Sequence, residues 1–163
     1  MNAPLKVPTP AECGVIPIET AKTMSGLAQL RGIIDGSLPA PPIAGLMGFA
    51  LVEAEEGRVV FAGVPDTRHY NPGGVVHGGY AGTLLDSCMT VSVLSTLEAA
   101  WSCITLEYKV SLLRPMTKDT GLVRAEGKII QVGKRTASAE GRILDKQGRV
   151  LAHGTTTCLV FPI

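Results

Sequence analysis

One acid stands in the middle of an otherwise aliphatic stretch. In "HGGYAGTLLDSCMTVSVLSTL", Asp86 lies nine residues after His77, with Gly82, Thr83, Met89 and Thr90 one helical turn away. A buried carboxylate without a partner costs several kcal/mol or is driven neutral. It is therefore either tied to Thr83 or Thr90 as a structural group, or kept in a dry pocket as general base or nucleophile. His77-Gly78-Gly79 opens the same stretch. Two glycines let a loop turn into a helix without a Cβ clash. They also let a carbonyl oxygen approach the free N–H groups and partial positive charge of a helix N-terminus, an oxyanion-type arrangement. Both readings of the glycines hold together.

Gly78 and Asp86 are eight residues apart, roughly 12 Å along one helix. One scissile bond cannot touch both in the same chain. If they act together, Asp86 reaches a substrate held at Gly78 of another chain, which implies an obligate homodimer with two shared active sites.

The elements that carry these residues follow from periodicity. Residues 1–18 are proline-rich and expected to be loose, leaving 19–163 as one domain. From about Thr20, Met24, Leu27, Leu30 and Ile34 recur at helical spacing, with Thr20 or Thr23 as cap and Gly36 as stop. "GSLPAPPIAG" breaks that helix. Phe49–Glu55 and Arg58–Val64 flank a Glu56-Gly57 turn and predict a hairpin. The loop "PDTRHYNPGGVVHGG" delivers the chain to a helix over roughly Gly79 to Leu97. The period then changes to two. Ile104, Leu106, Tyr108, Val110 and Leu112 alternate with Thr105, Glu107 and Lys109, a half-buried strand ending at Pro115. Three further strands, about Gly121–Val132, Arg135–Asp145 and Val150–Phe161, are joined by short turns and should pair antiparallel. The fold class is α+β: a six-stranded, mostly antiparallel sheet with one long apolar helix and an extra N-terminal helix. Tyr80, Leu84, Leu85, Met89, Val91, Val93, Leu94 and Leu97 leave that long helix little polar face. It must be covered on most sides, by a curved sheet and then by a second copy, the hot-dog architecture.

Asn71-x-x-Gly74-x-x-His77-Gly78-Gly79 with Asp86, inside this strand order and with the "LLRP" ending of the third strand, resembles the PaaI-like acyl-CoA thioesterases of the hot-dog superfamily. The resemblance runs from the first hairpin to the C-terminus. It implies hydrolysis of an acyl-CoA to the carboxylic acid and free CoA, on an aryl or a short to medium acyl group. The Gly78 N–H would polarise the thioester carbonyl with Asn71 nearby, and His77 and Gly79 would shape the site. Asp86 of the partner would activate water or attack directly, with Thr105 orienting the water. The basic turn of Lys134 and Arg135 would lie near the CoA phosphates. Dimers of the family commonly pair into tetramers.

By themselves these residues keep plainer roles. "YNPGG" is a good turn, His77 could tie its ring to a backbone carbonyl, and Thr105 suits any strand. Lys134, Arg135 and Arg114 suit a solvated surface, while His69 and His153 have no visible partner. Phe49, Leu46 and Met47 are candidates for the pocket wall. Two other functions fit the fold: a hydroxyacyl-thioester dehydratase, and a non-catalytic acyl-CoA-binding protein.

Composition excludes several classes. Fifteen Lys plus Arg against fourteen Asp plus Glu give a net charge of +1 with no basic run, so nucleic acid is not an expected partner. Four dispersed cysteines show neither disulfide nor metal spacing and suit free thiols in a reducing compartment. The N-terminal residues lead us to expect no signal peptide and no membrane span, and the sequence shows no P-loop, GxGxxG after a strand, or GxSxG elbow. A cytoplasmic enzyme is expected, with no metal and no cofactor beyond the CoA of its substrate.

Overall fold

The computed structural model describes Val7 and residues 12–163; residues 1–6 and 8–11 of the proline-rich segment lie outside the described residues. Its elements in chain order are α1 (Ile18–Thr23), α2 (Gly26–Asp35), α3 (Pro42–Met47), β1 (Phe49–Glu55), β2 (Arg58–Gly63), α4 (Gly78–Leu94), β3 (Trp101–Leu112), β4 (Val123–Val132), β5 (Thr136–Leu144) and β6 (Val150–Pro162). The six strands form one sheet in the order β1-β2-β4-β5-β6-β3, with every pairing antiparallel. The sheet curls around α4, which contacts β2 through β6. This is the hot-dog layout.

The N-terminal helix differs from its expectation. It is two helices, because Met24 is extended and Ser25 caps α2, its hydroxyl accepting from the Ala28 N–H at 3.3 Å. A Ser side chain offers the backbone a local partner, and that stops one helix and starts the next. Gly36 does end α2, at φ 82°. The following proline-rich stretch holds the short helix α3, with Pro42 in its first turn where a missing N–H is harmless.

What lets α4 lie so close to the sheet is a row of glycines. Gly127 on β4 is opposite Gly141 on β5, which is opposite Gly154 on β6. A methyl group at Gly127 would collide with the Cys88 carbonyl of α4, and one at Gly141 would meet Met89 Cγ at 2.8 Å. The collision at Gly127 is with backbone and cannot be relieved by a rotamer change. Gly127→Ala is expected to cost about 3 kcal/mol through overpacking. A thermal melt should then show a midpoint lower by about 10 °C.

Tyr80, Leu84, Leu85, Cys88, Met89 and Val93 bury the sheet side of α4. A stripe remains that its own sheet does not cover: Gly79, Thr83, Asp86, Ser87, Thr90 and Leu94 are exposed or half-buried. Their spacing follows one helical face.

Strand β3 corrects the simple alternation. A bulge at Leu106 shifts the register between Thr105 and Glu107. It places two residues against one on β6 and reverses the faces beyond it. Thr105 before the bulge, and Tyr108 and Leu112 after it, all contact α4. Thr105 therefore lies opposite to Glu107 and Lys109, not beside them on one polar face. The strand is also an outer edge of the sheet, and Ile104, Leu106, Tyr108 and Leu112 are 46–58% exposed rather than buried.

Candidate active site

Gly78 is the first residue of α4 and His77 its N-cap. The His77 Nδ1 accepts from the Gly79 N–H at 2.9 Å, so the imidazole satisfies one of the orphan donors of the helix start. The backbone of His77 is fixed in turn, its N–H donating to the His69 carbonyl at 2.7 Å. The N–H of Gly78 has no acceptor among the described residues. Gly78 also lines a cavity of about 230 Å³ whose wall includes Asn71, Val76, Leu112, Arg114 and Met116.

Asn71 does turn chemistry and still faces that cavity. Its Oδ1 accepts from the N–H groups of Gly73 (2.9 Å) and Val75 (3.4 Å), and Gly74 completes the turn at φ 81°. With the oxygen held, the amide orientation is fixed, and its NH2 has no acceptor among the described residues. The expected pocket residues Phe49, Leu46 and Met47 are not in this wall. Phe49 is deep in the core, Met47 packs against that core and Leu46 is exposed.

Asp86 is half-buried with both threonines at hand. Its Oδ1 accepts from Thr105 Oγ1 at 2.7 Å, with Thr90 Oγ1 at 3.3 Å, and the two hydroxyls are 2.6 Å apart. Thr83 donates elsewhere, to the Gly79 carbonyl. The triangle engages one carboxylate oxygen and leaves Oδ2 without a partner among the described residues. Thr90 was legible only as a structural partner of Asp86. It joins the site because β3 brings Thr105 across from it.

Cys103 and Cys158 also approach Thr90, their thiols lying 3.6 Å from its carbonyl oxygen and 3.8 Å from its hydroxyl oxygen. Burial pushes the Cys103 thiol up to about 12 and raises Cys158 as well. Both stay protonated near neutrality and are poor nucleophiles.

His69 is buried beneath the loop that leads to Gly78. Its Nδ1 accepts from the Asp66 N–H at 2.9 Å and its ring stacks on Tyr80, centroids 4.5 Å apart. Burial, with Arg68 adding to it, holds its pKa below the usual histidine value. The unfolded chain therefore takes up this proton first as pH falls. His69 contributes stability that is full above about pH 6.5 and is lost as pH drops through its folded value. Melting temperature followed from neutral to mildly acid pH should decline, and less steeply in His69→Gln. His153 lies half-exposed beside Glu140 at 3.8 Å.

Two groups thus form in one chain. Asn71 and Gly78 share a cavity at the start of α4; Asp86 and Thr105 share a hydrogen bond two turns along. Lys134 and Arg135 join neither, being exposed on the β4–β5 turn at the opposite end of α4. All the pieces except that turn lie on one open seam, where Leu112 meets Gly78, Tyr108 meets Gly82 and Thr105 meets Asp86. Among the described residues no helix is long and apolar enough to cross a membrane.

The comparisons with known proteins agree with this layout. The sequence model of the Thioesterase superfamily matches residues 73–152, which include α4, β3, β4, β5 and the start of β6. Human acyl-coenzyme A thioesterase 13 is 26% identical over 137 residues, covering 82% of this chain and 96% of that protein. A candidate esterase of Saccharolobus solfataricus is 30% identical over 101 residues, 61% of this chain and 69% of that one. The crystal structure of a phenylacetic acid degradation-related protein from Ralstonia eutropha superposes with a TM-score of 0.73 at 29% identity, covering 80% of this chain and 98% of that one. The open α4–β3 seam and these likenesses lead to one assignment: the chain belongs to the thioesterase superfamily, as a thioester hydrolase of the PaaI-like, hot-dog type.

Proposed function

We propose that the protein hydrolyses acyl-CoA thioesters at two equivalent sites, each shared between the subunits of a homodimer. The observation that carries this reading is the pairing along the seam. Gly78, Gly82 and Asp86 of α4 meet Leu112, Tyr108 and Thr105 of β3, so helix and strand run antiparallel. A two-fold axis near Gly82 and Tyr108 brings Gly78 of one subunit level with Asp86 of the other. The same operation sets β3 beside its own copy, antiparallel. That pairing would cover the twelve-residue free edge, its exposed apolar side chains and the uncovered stripe of α4. Gly82, without a side chain, lets the Tyr108 ring of its own chain lie close against α4.

In the shared site the acyl carbonyl accepts from the unpaired Gly78 N–H, aided by the partial charge of the helix start. The NH2 of Asn71 supplies a second donor. Asp86 of the partner subunit presents Oδ2, while Thr105 holds Oδ1 and so sets the direction of the free lone pairs. That oxygen takes a proton from water as it attacks the carbonyl carbon, or attacks the carbon itself to form an anhydride that water then opens. In both routes the C–S bond breaks and the thiolate of CoA leaves.

Release of free thiol, followed with a chromogenic reagent over short, medium, long and aryl acyl-CoAs, tests the proposal. Turnover of at least one class is expected. An enoyl thioester in place of free thiol would move the reaction to dehydration, and CoA binding without turnover would make the protein a carrier.

A further inference from the structure

His69 is a buried titratable group that the proposed reaction does not touch, yet it stands at the base of the loop that carries both carbonyl donors. We propose that His69 is a positioning residue, whose ring fixes the short ladder from which the Gly78 N–H and the Asn71 amide are presented. The proposal rests on the acyl-CoA reading and adds to it what holds the two donors in place.

The ladder is the first observation. The His69 carbonyl accepts from the His77 N–H at 2.7 Å, and Tyr70 pairs with Val76 in an antiparallel bridge. Asn71 opens the turn between these two arms, its own N–H donating to the Val75 carbonyl at 2.8 Å. His77 ends the second arm, and Gly78 follows it. The N–H groups around Gly78 are all engaged: that of His77 on His69, that of Gly79 on the His77 ring, and that of Tyr80 on the His77 carbonyl at 3.0 Å. The free donor therefore moves with His77, and His77 moves with His69.

The second observation is that the His69 side chain is pinned on two sides. It is only 8% exposed. Its Nδ1 accepts from the Asp66 N–H at 2.9 Å, while its backbone N–H donates to the Asp66 carbonyl at 3.0 Å. The ring face lies against Tyr80, the third residue of α4. One imidazole thus joins the segment before the ladder to the helix after it. A neutral ring has one acceptor nitrogen. Burial favours the neutral form, so Nδ1 stays available to Asp66.

The third is the tolerance of the chemistry. An oxyanion donor must lie about 2.7–3.1 Å from the oxygen that becomes charged. Misplacement by about 1 Å can cost about a hundredfold. Such a contact strengthens in the transition state, so its loss lowers kcat more than it raises KM.

His69→Leu and His69→Asn form an isosteric pair in which only the second keeps an acceptor where Nδ1 stood. In acyl-CoA hydrolysis His69→Leu should lower kcat about thirtyfold with KM within about twofold, and His69→Asn should recover most of that loss. Repeated in Gly78→Pro, where the donor is already gone, the effect of His69→Leu should shrink to about threefold, the share of a displaced Asn71. If His69→Leu does not fold, His69→Phe takes its place in the cycle, since it keeps a ring on Tyr80 and lacks the acceptor. Hydrogen exchange read by mass spectrometry needs no turnover. Residues 75–80 should exchange about tenfold faster in the variant than in wild type. An equal kcat loss in both backgrounds, or none in either, overturns the positioning role and leaves the hydrolase reading standing. Unchanged exchange overturns it as well. Faster exchange in a protein that turns over no acyl-CoA supports the anchor and removes the hydrolase.

Discussion

The Asp86→Asn variant is expected to fold, to remain dimeric and to lose about a thousandfold in kcat for acyl-CoA hydrolysis, the scale of a positioned general base or more. The substitution is nearly isosteric. An amide oxygen in the Oδ1 position can still accept from Thr105, so the 2.7 Å contact that ties α4 to β3 survives. What disappears is the second oxygen, the one with no partner, which becomes an NH2 that can neither take a proton nor attack carbon. KM should move little, because in the proposed shared site the carbonyl is held at the other subunit's helix start. Steady-state kinetics with size-exclusion chromatography and a thermal melt check all three parts. Activity within a few fold of wild type would leave Asp86 with only the structural role that two threonine partners could explain. A single turnover in heavy-oxygen water then separates the two chemical routes: label appears in Asp86 only if the carboxylate attacks the carbonyl.

Much of the candidate site is legible in the sequence. The carboxylate in an apolar helix, the glycines at its start and the distance between them carry the shared-site proposal from the sequence alone. That argument needs only helix rise and the length of one bond. The strands were legible because alternation and turn residues mark them locally. What escaped the sequence was set by pairing across distance. The bulge at Leu106 is invisible because a leucine there continues the alternation perfectly, and only the register with β6 shows that Tyr108 and Leu112 share the face of Thr105. Gly127, Gly141 and Gly154 look like three unrelated strand glycines until pairing aligns them under α4. Ser25 is hidden as a cap because Met24 and Leu27 on either side keep helical spacing. Nothing in a linear chain places Trp101 beside the turn of Lys134, where the two line one cavity.

Gly78→Pro supplies the complementary loss, and the two variants together test the shared site itself. Proline removes the N–H that the site is argued to use. It does so at the one helical position where proline is well accepted, the first. His77 ahead of it is already extended, at φ −61° and ψ 140°, the conformation a following proline requires. The added carbons press on the tip of the Leu112 side chain, 2.8 Å from a built Cβ, and that tip can move. Loss of a single oxyanion donor should lower kcat about a hundredfold to a thousandfold. Each variant alone is then nearly inactive. In a heterodimer of the two, one composite site carries both lesions and the other carries neither. Random reassortment should therefore restore about a quarter of wild-type activity, since half of the dimers are mixed and each holds one intact site. If Gly78 and Asp86 of the same chain served one substrate, every site in the mixture would keep one lesion and no activity would return. Unfolding, mixing and refolding the two inactive proteins distinguishes these outcomes, and recovery can arise only from a site built across the two-fold axis.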